Sequence, residues 1–183
     1  MKGIIFTEFL EMVEEAFSPE TADHIITAAN LPSGGAYTAV GTYGHQEMVA
    51  LVSALSHVTG VGVPALVRTF GKHLFGRFVK VYPAFFQGPC STFEFLPHVH
   101  DHIHVEVLKL YPDARLPRFE TWCDGLERMI MVYHSECGLH DLAEGLIEGC
   151  AAHFGEHLQI AKEDLSGGQG TCVRFTLTKS SNR

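Results

Sequence analysis

The hydrophobic pattern of this chain changes period in the stretch bracketed by Pro112 and Pro117. Before it, apolar residues recur three and four apart, the spacing of a helix buried on one side. Ile5, Phe9, Met12, Val13 and Ala16 form one such stripe, and Met48, Leu51, Val52 and Leu55 form another. Ser18-Pro19 reads as a cap followed by proline at the first helical position, opening a helix to about Ala29. Pro64 opens a further helix to about Val81, and Phe93–Tyr111 reads as a long helix or a pair, with Pro97 as a start or a kink. After Pro117 the residues alternate, as half-buried strands do. Phe119–Trp122, Arg128–Ser135, Leu158–Asp164 and Val173–Thr178 are the predicted strands, with turns at Asp124-Gly125 and Gly167-Gly168. Leu139–Phe154 is a helix among them. The two periods together predict an α+β fold with antiparallel pairing. At 183 residues the chain forms one domain, 1–183, with a helical lobe over about 1–60 packed on the remainder, about 61–183. The tail Lys179–Arg183 is expected to fray.

Charge narrows the partners. Lys+Arg number 13 against 21 Asp+Glu, a formal charge of −8, which argues against a phosphate backbone as ligand. No apolar run approaches the roughly 18 residues of a membrane span. Glu8, Glu11, Glu14 and Glu15 interrupt any signal-peptide core. Five cysteines without a regular framework then suggest reduced thiols and a cytoplasmic setting.

The 12 histidines exceed what a core needs, and four fall in His98-Val99-His100-Asp101-His102-Ile103-His104. On a helix, His102 shares the solvated side of His98, Glu106 and Lys109, whereas His104 sits beside Val107, Leu108 and Tyr111. A histidine among apolar neighbours must satisfy both ring nitrogens or bind a metal. It is thus either a core histidine bonded to backbone or a ligand. His100, one turn earlier, is a rival ligand or a second one for zinc. The chain has no Cys-x-x-Cys, His-Glu-x-x-His, Gly-x-Ser-x-Gly or P-loop, and no base paired with a nucleophile, so catalysis is not expected. Iron in haem fits better: the macrocycle brings four nitrogens and needs one axial imidazole, and 13 phenylalanines suit a flat apolar pocket. On the strand Arg128–Ser135, Met129, Met131, Tyr133 and Ser135 share a face, so Tyr133 and Ser135 offer adjacent hydroxyls to haem carboxylates.

Together these segments resemble the haem nitric oxide/oxygen binding (H-NOX) domains, relatives of the sensor domain of soluble guanylate cyclase. The resemblance is carried by Met1-Lys2-Gly3-Ile4-Ile5-Phe6, by Phe70-Gly71 through Phe78 to Tyr82-Pro83-Ala84-Phe85-Phe86, by Asp101-His102-Ile103-His104-Val105-Glu106-Val107, and by Tyr133-His134-Ser135 followed by Gly145-Leu146-Ile147-Glu148-Gly149. It spans nearly the whole chain. It implies haem b held between the lobes, with His104 as the proximal ligand and Tyr133 and Ser135 on the propionates. It further implies Ile5, Phe9, Leu74, Phe78, Leu142 and Leu146 around the gas, and Pro117 pressed on the porphyrin. The family motif is Tyr-x-Ser-x-Arg, and Cys137 stands at the arginine position. A thiol is a weak donor beside a guanidinium, so Arg115, Arg118 and His134 are the alternative anchors. In oxygen-binding relatives a tyrosine stands nine positions after the motif tyrosine, and here that residue is Leu142. The implied function is sensing of nitric oxide, with carbon monoxide as a second ligand, and signalling to a histidine kinase or a cyclic-di-nucleotide enzyme. The rival readings are a thiol or zinc sensor drawing on Cys137, His140, Cys150 and Cys172, and a haem-free docking module.

Overall fold

The computed structural model describes residues 1–180. Helix α1 spans Gly3–Ala16, α2 Pro19–Ala29, α3 His45–Thr59 and α4 Val63–Val81. The Ser18 hydroxyl accepts from the Thr21 N–H, the cap expected from Ser-Pro. The segment between α2 and α3 is not a free loop. Glu47, buried at the start of α3, accepts from the Ser33 and Tyr37 hydroxyls and draws the loop onto the core.

The histidine segment is where the chain departs from a regular helix. Helix α5 (Thr92–His98) starts at a Ser91 cap, one residue before the predicted span, and Pro97 lies inside it. A π-helical turn, Val99–Ile103, follows, and α6 runs His104–Leu110. Wider turns of this kind are rare and recur at functional sites.

Strands β1 (Arg118–Cys123), β2 (Arg128–His134), β3 (Leu158–Asp164) and β4 (Cys172–Lys179) form one antiparallel sheet ordered β1-β2-β4-β3. Helix α7 (His140–His153) lies between β2 and β3 in sequence. Tyr133 pairs with Phe119 on one side and Val173 on the other. The expected fraying fails at its first residue. Lys179 ends β4, its N–H donates to Glu127, and the Ser180 N–H donates to His157. Ser181–Arg183 lie outside the described residues.

Two apolar cores result. Phe6, Phe9, Ile25, Leu51, Leu55 and Leu74 centre the first; Phe95, Met129, Ile147, Phe175 and Leu177 centre the second. Helix α4 feeds both, through Leu74 on one side and Phe75 on the other, and Leu146 of α7 packs against both. The α4–α7 crossing is very close. A Cβ on Gly71 would lie 2.5 Å from the Leu142 carbonyl oxygen, and one on Gly145 would lie 2.0 Å from that of Arg68. Only glycine allows main chain to approach main chain this way. Among the described residues, no single helix is long and apolar enough to cross a membrane.

Candidate haem site

His104 opens α6 and turns its ring toward the sheet, 5.7 Å from the Phe119 ring centroid. Its apolar setting comes from that strand. Leu108, expected beside it, is exposed. Burial chiefly, and the nearby His100 next, push its pKa down to about 4, against a smaller opposing effect of the Pro117 carbonyl. The imidazole is therefore neutral at ordinary pH and keeps a lone pair. Its Nδ1 is buried and has no hydrogen-bond partner. An orphaned polar atom in such a place costs stability unless something else engages the ring. His100 lies 6.4 Å away by ring centroids, and its Nδ1 is likewise unpartnered. His98 and His102 are exposed, as their solvated side required.

The hydroxyls of Tyr133 and Ser135 are held by the backbone that follows them. Tyr133 Oη accepts from the Leu139 N–H at 2.9 Å, and Ser135 Oγ accepts from the Cys137 N–H at 3.2 Å. Each oxygen is fixed while its own proton remains free to donate. Burial, the dominant effect, raises the Tyr133 pKa, so this hydroxyl stays a neutral donor. Strand β2 ends at His134, so Ser135 stands just past it, its N–H on the Thr171 carbonyl at 2.9 Å.

The three alternative cations separate. Arg115 reaches Glu136 at 3.3 Å, next to Cys137. Arg118 pairs with Glu120 at 2.6 Å, and His134 approaches that same carboxylate at 3.8 Å. Strand alternation turns His134 away from the Tyr133 face. Arg115 is the cation that approaches the motif.

Of the apolar residues, Phe9 and Leu74 are fully buried in the first core, with Phe9 edge-on to Phe70 at 5.2 Å. Ile5, Phe78, Leu142 and Leu146 are half-buried and pack around that core. Pro117 is half-buried in the link before β1. Neutral imidazole, two free hydroxyl protons and flanking apolar side chains are the donor set a haem requires, so the residues present fit the group. They do not gather a zinc site: among the described residues, no three His, Cys, Asp or Glu side chains come together to hold a metal ion. Cys150 is buried, and that burial pushes its thiol up to about 12, far from a reactive thiolate.

One contact here has no sequence signal. The Lys2 ammonium donates to Thr42 Oγ1 at 2.8 Å and Asp113 Oδ1 at 3.0 Å, and lies 4.7 Å from the Tyr111 ring centroid. It clasps the start of α1 to the link that leaves α6. Lys2 and Asp113 are too far apart in sequence for any local pattern to pair them.

Comparison with known proteins gives the same reading. The family model described as Haem-NO-binding matches residues 2–162. A point variant of the H-NOX protein from K. algicida, in the Fe(II) unliganded state, is 40% identical with a TM-score of 0.93, covering 100% of this chain and 98% of that one. The IWP-051-bound H-NOX from Shewanella woodyi, in the Fe(II)CO state, is 38% identical with a TM-score of 0.84, covering 99% and 95%. The H-NOX protein from S. oneidensis in the Fe(II)NO state shares the fold at a TM-score of 0.90 and 23% identity, covering 98% and 99%. No curated protein matches the sequence. With a family match over nearly its whole length, and relatives of that family alike from end to end, the chain belongs to the Haem-NO-binding, or H-NOX, family of haem-based gas-sensor domains.

Proposed function

We propose that this chain is a cytoplasmic haem-based nitric oxide sensor, a single domain in which His104 is the proximal iron ligand. The observation that carries this is the half-buried His104 ring beside β1, neutral and with a buried Nδ1 that has no hydrogen-bond partner. When bound, haem supplies a ferrous iron with one position open to a diatomic gas. Tyr133 and Ser135 donate to its propionates, with Arg115 in place of the motif arginine. Pro117 packs on the porphyrin edge. Ile5, Phe9, Leu74, Phe78, Leu142 and Leu146 form an apolar wall that excludes water and offers the gas no proton. Oxygen needs such a donor to steady its partial negative charge, whereas nitric oxide and carbon monoxide do not. The carbon monoxide state of the S. woodyi relative supports this ligand class.

His104 would hold the iron, and loosening of that hold when the gas binds would free α6 to shift against the sheet. A separate protein reads that shift, a histidine kinase or a cyclic-di-nucleotide signalling enzyme.

The test is the absorbance spectrum of the reduced protein with and without nitric oxide. Wild type shows a Soret band that shifts on adding the gas. His104→Gly loses most of it, and free imidazole restores it, while His100→Gly keeps it. The reverse pattern would assign the iron to His100, and no Soret band in wild type would refute the haem reading altogether.

A further inference from the structure

A groove of about 810 Å³ runs between α4, the end of α7 and the start of β3, away from His104. That volume is within the range of small-molecule sites, roughly 300–1,000 Å³. Its floor is apolar, made by Phe75, Val79, Leu158 and Ile160. It stays open partly because Gly76 lines it without a side chain, and a Cβ there would meet nothing within 4 Å.

The charged side chains that line the groove, Lys72, Lys80, Glu148 and Glu156, sum to zero but are not all paired. Its two carboxylates are already engaged. Glu148 is held by Arg68 and by Lys72 at 3.0 Å, and Glu156 by Lys179 at 2.9 Å and the Thr92 N–H at 2.8 Å. Lys80 lines the groove and pairs with no carboxylate among the described residues. His153 and His157 add two exposed imidazoles. On a chain of charge −8, this is an apolar trough whose only unpaired charged side chain is a cation.

From this we infer that the groove binds an amphiphilic carboxylate, its apolar body on Phe75, Val79, Leu158 and Ile160 and its head on Lys80. The head replaces water on the exposed Lys80 ammonium with a charge-assisted hydrogen bond, and the tail covers what remains accessible of the half-buried Val79, Leu158 and Ile160. The site is independent of the haem reading, since none of its lining residues belongs to the proposed gas wall.

Calorimetric titration of the haem-loaded protein with dodecanoate tests this, with dodecanol as the uncharged control. Saturable one-to-one binding is expected, about tenfold tighter for the carboxylate, the ratio one charged hydrogen bond supplies. Lys80→Glu should weaken dodecanoate by at least about tenfold. Gly76→Leu, which fills the trough from an open position, should abolish it. Both variants should keep the wild-type Soret band, which shows that they are folded. Equal binding of alcohol and acid would mean a plain apolar contact face for a protein partner or a second copy, and would overturn the proposal. So would dodecanoate binding untouched by either substitution, or no saturable binding at all.

Discussion

At the scale of single residues, Leu142 is the best place to test ligand choice. Phe9 and Leu74 are fully buried, and truncating such a side chain costs about 2–5 kcal/mol, which confuses affinity with folding. Leu142 is only half-buried, so the fold tolerates a change there. The unmodified ferrous protein should form no stable oxygen complex in air. Leu142→Tyr should create measurable oxygen affinity, read as an oxy spectrum, by adding a hydrogen bond worth roughly 1–3 kcal/mol. A stable oxy spectrum in the unmodified protein would sink the apolar-wall reading. Haem retention is best tested at Cys137. Cys137→Arg should slow haem transfer to an acceptor protein, while Arg115→Ala, Tyr133→Phe and Ser135→Ala should each speed it. If Arg115→Ala changes nothing, the nearby arginine does not replace the missing one. Spacing placed Tyr133 and Ser135 on one face and left His104 and His100 both open as ligands; the resemblance singled out His104. The sequence could not rank Arg115, Arg118 and His134, since their separation depends on which carboxylate each one meets.

Secondary-structure elements were legible where caps and turns are local. Ser18-Pro19 opens α2, and Asp124-Gly125 closes the β1–β2 hairpin. Pro97, read as a start or a kink, is not a start, since it lies inside α5; the helix is interrupted just after it, by the π-helical turn that leads into α6. The clasp was invisible for the opposite reason, being wholly non-local. Asp113→Ala should lower the melting temperature slightly, and raised salt should mimic the change in wild type, because the pair is partly exposed and screened. The β3–β4 turn makes a pH prediction. Asp164 is held down to about 2, first by the Ser166 hydroxyl and then by the Ser166 and Gly170 N–H groups. A carboxylate with a lowered pKa stabilises the fold above its ordinary value of 3.8 and loses that contribution as pH falls toward about 2. The Ser166 and Gly170 amide resonances should therefore move between those pH values. Resonances that stay fixed there would mean the turn does not depend on the charge.

For the whole molecule, the change of period at Pro112–Pro117 was enough to give an α+β fold, but not the strand order. Placing β4 between β2 and β3 requires long-range pairing that no local pattern encodes. The groove between α4, α7 and β3 was hidden for the same reason. The α4–α7 crossing was also hidden, because glycine in a helix reads only as a weak propensity. Gly145→Ala should destabilise the protein by about 1–3 kcal/mol or more, as overpacking does, seen as a lower melting temperature. If that temperature is unchanged, the close approach is not rigid. A joint made of bare main chain has no rotamers, and so nothing in it to take up slack. Leu74 and Phe78 ride on one of the joined helices, Leu142 and Leu146 on the other. Displacement therefore carries these four as one block, and on the proposed reading the wall they form would keep its spacing while α6 shifts. On that reading, the choice of gas would rest on the α4–α7 joint and the response to it on α6, two different parts of the chain.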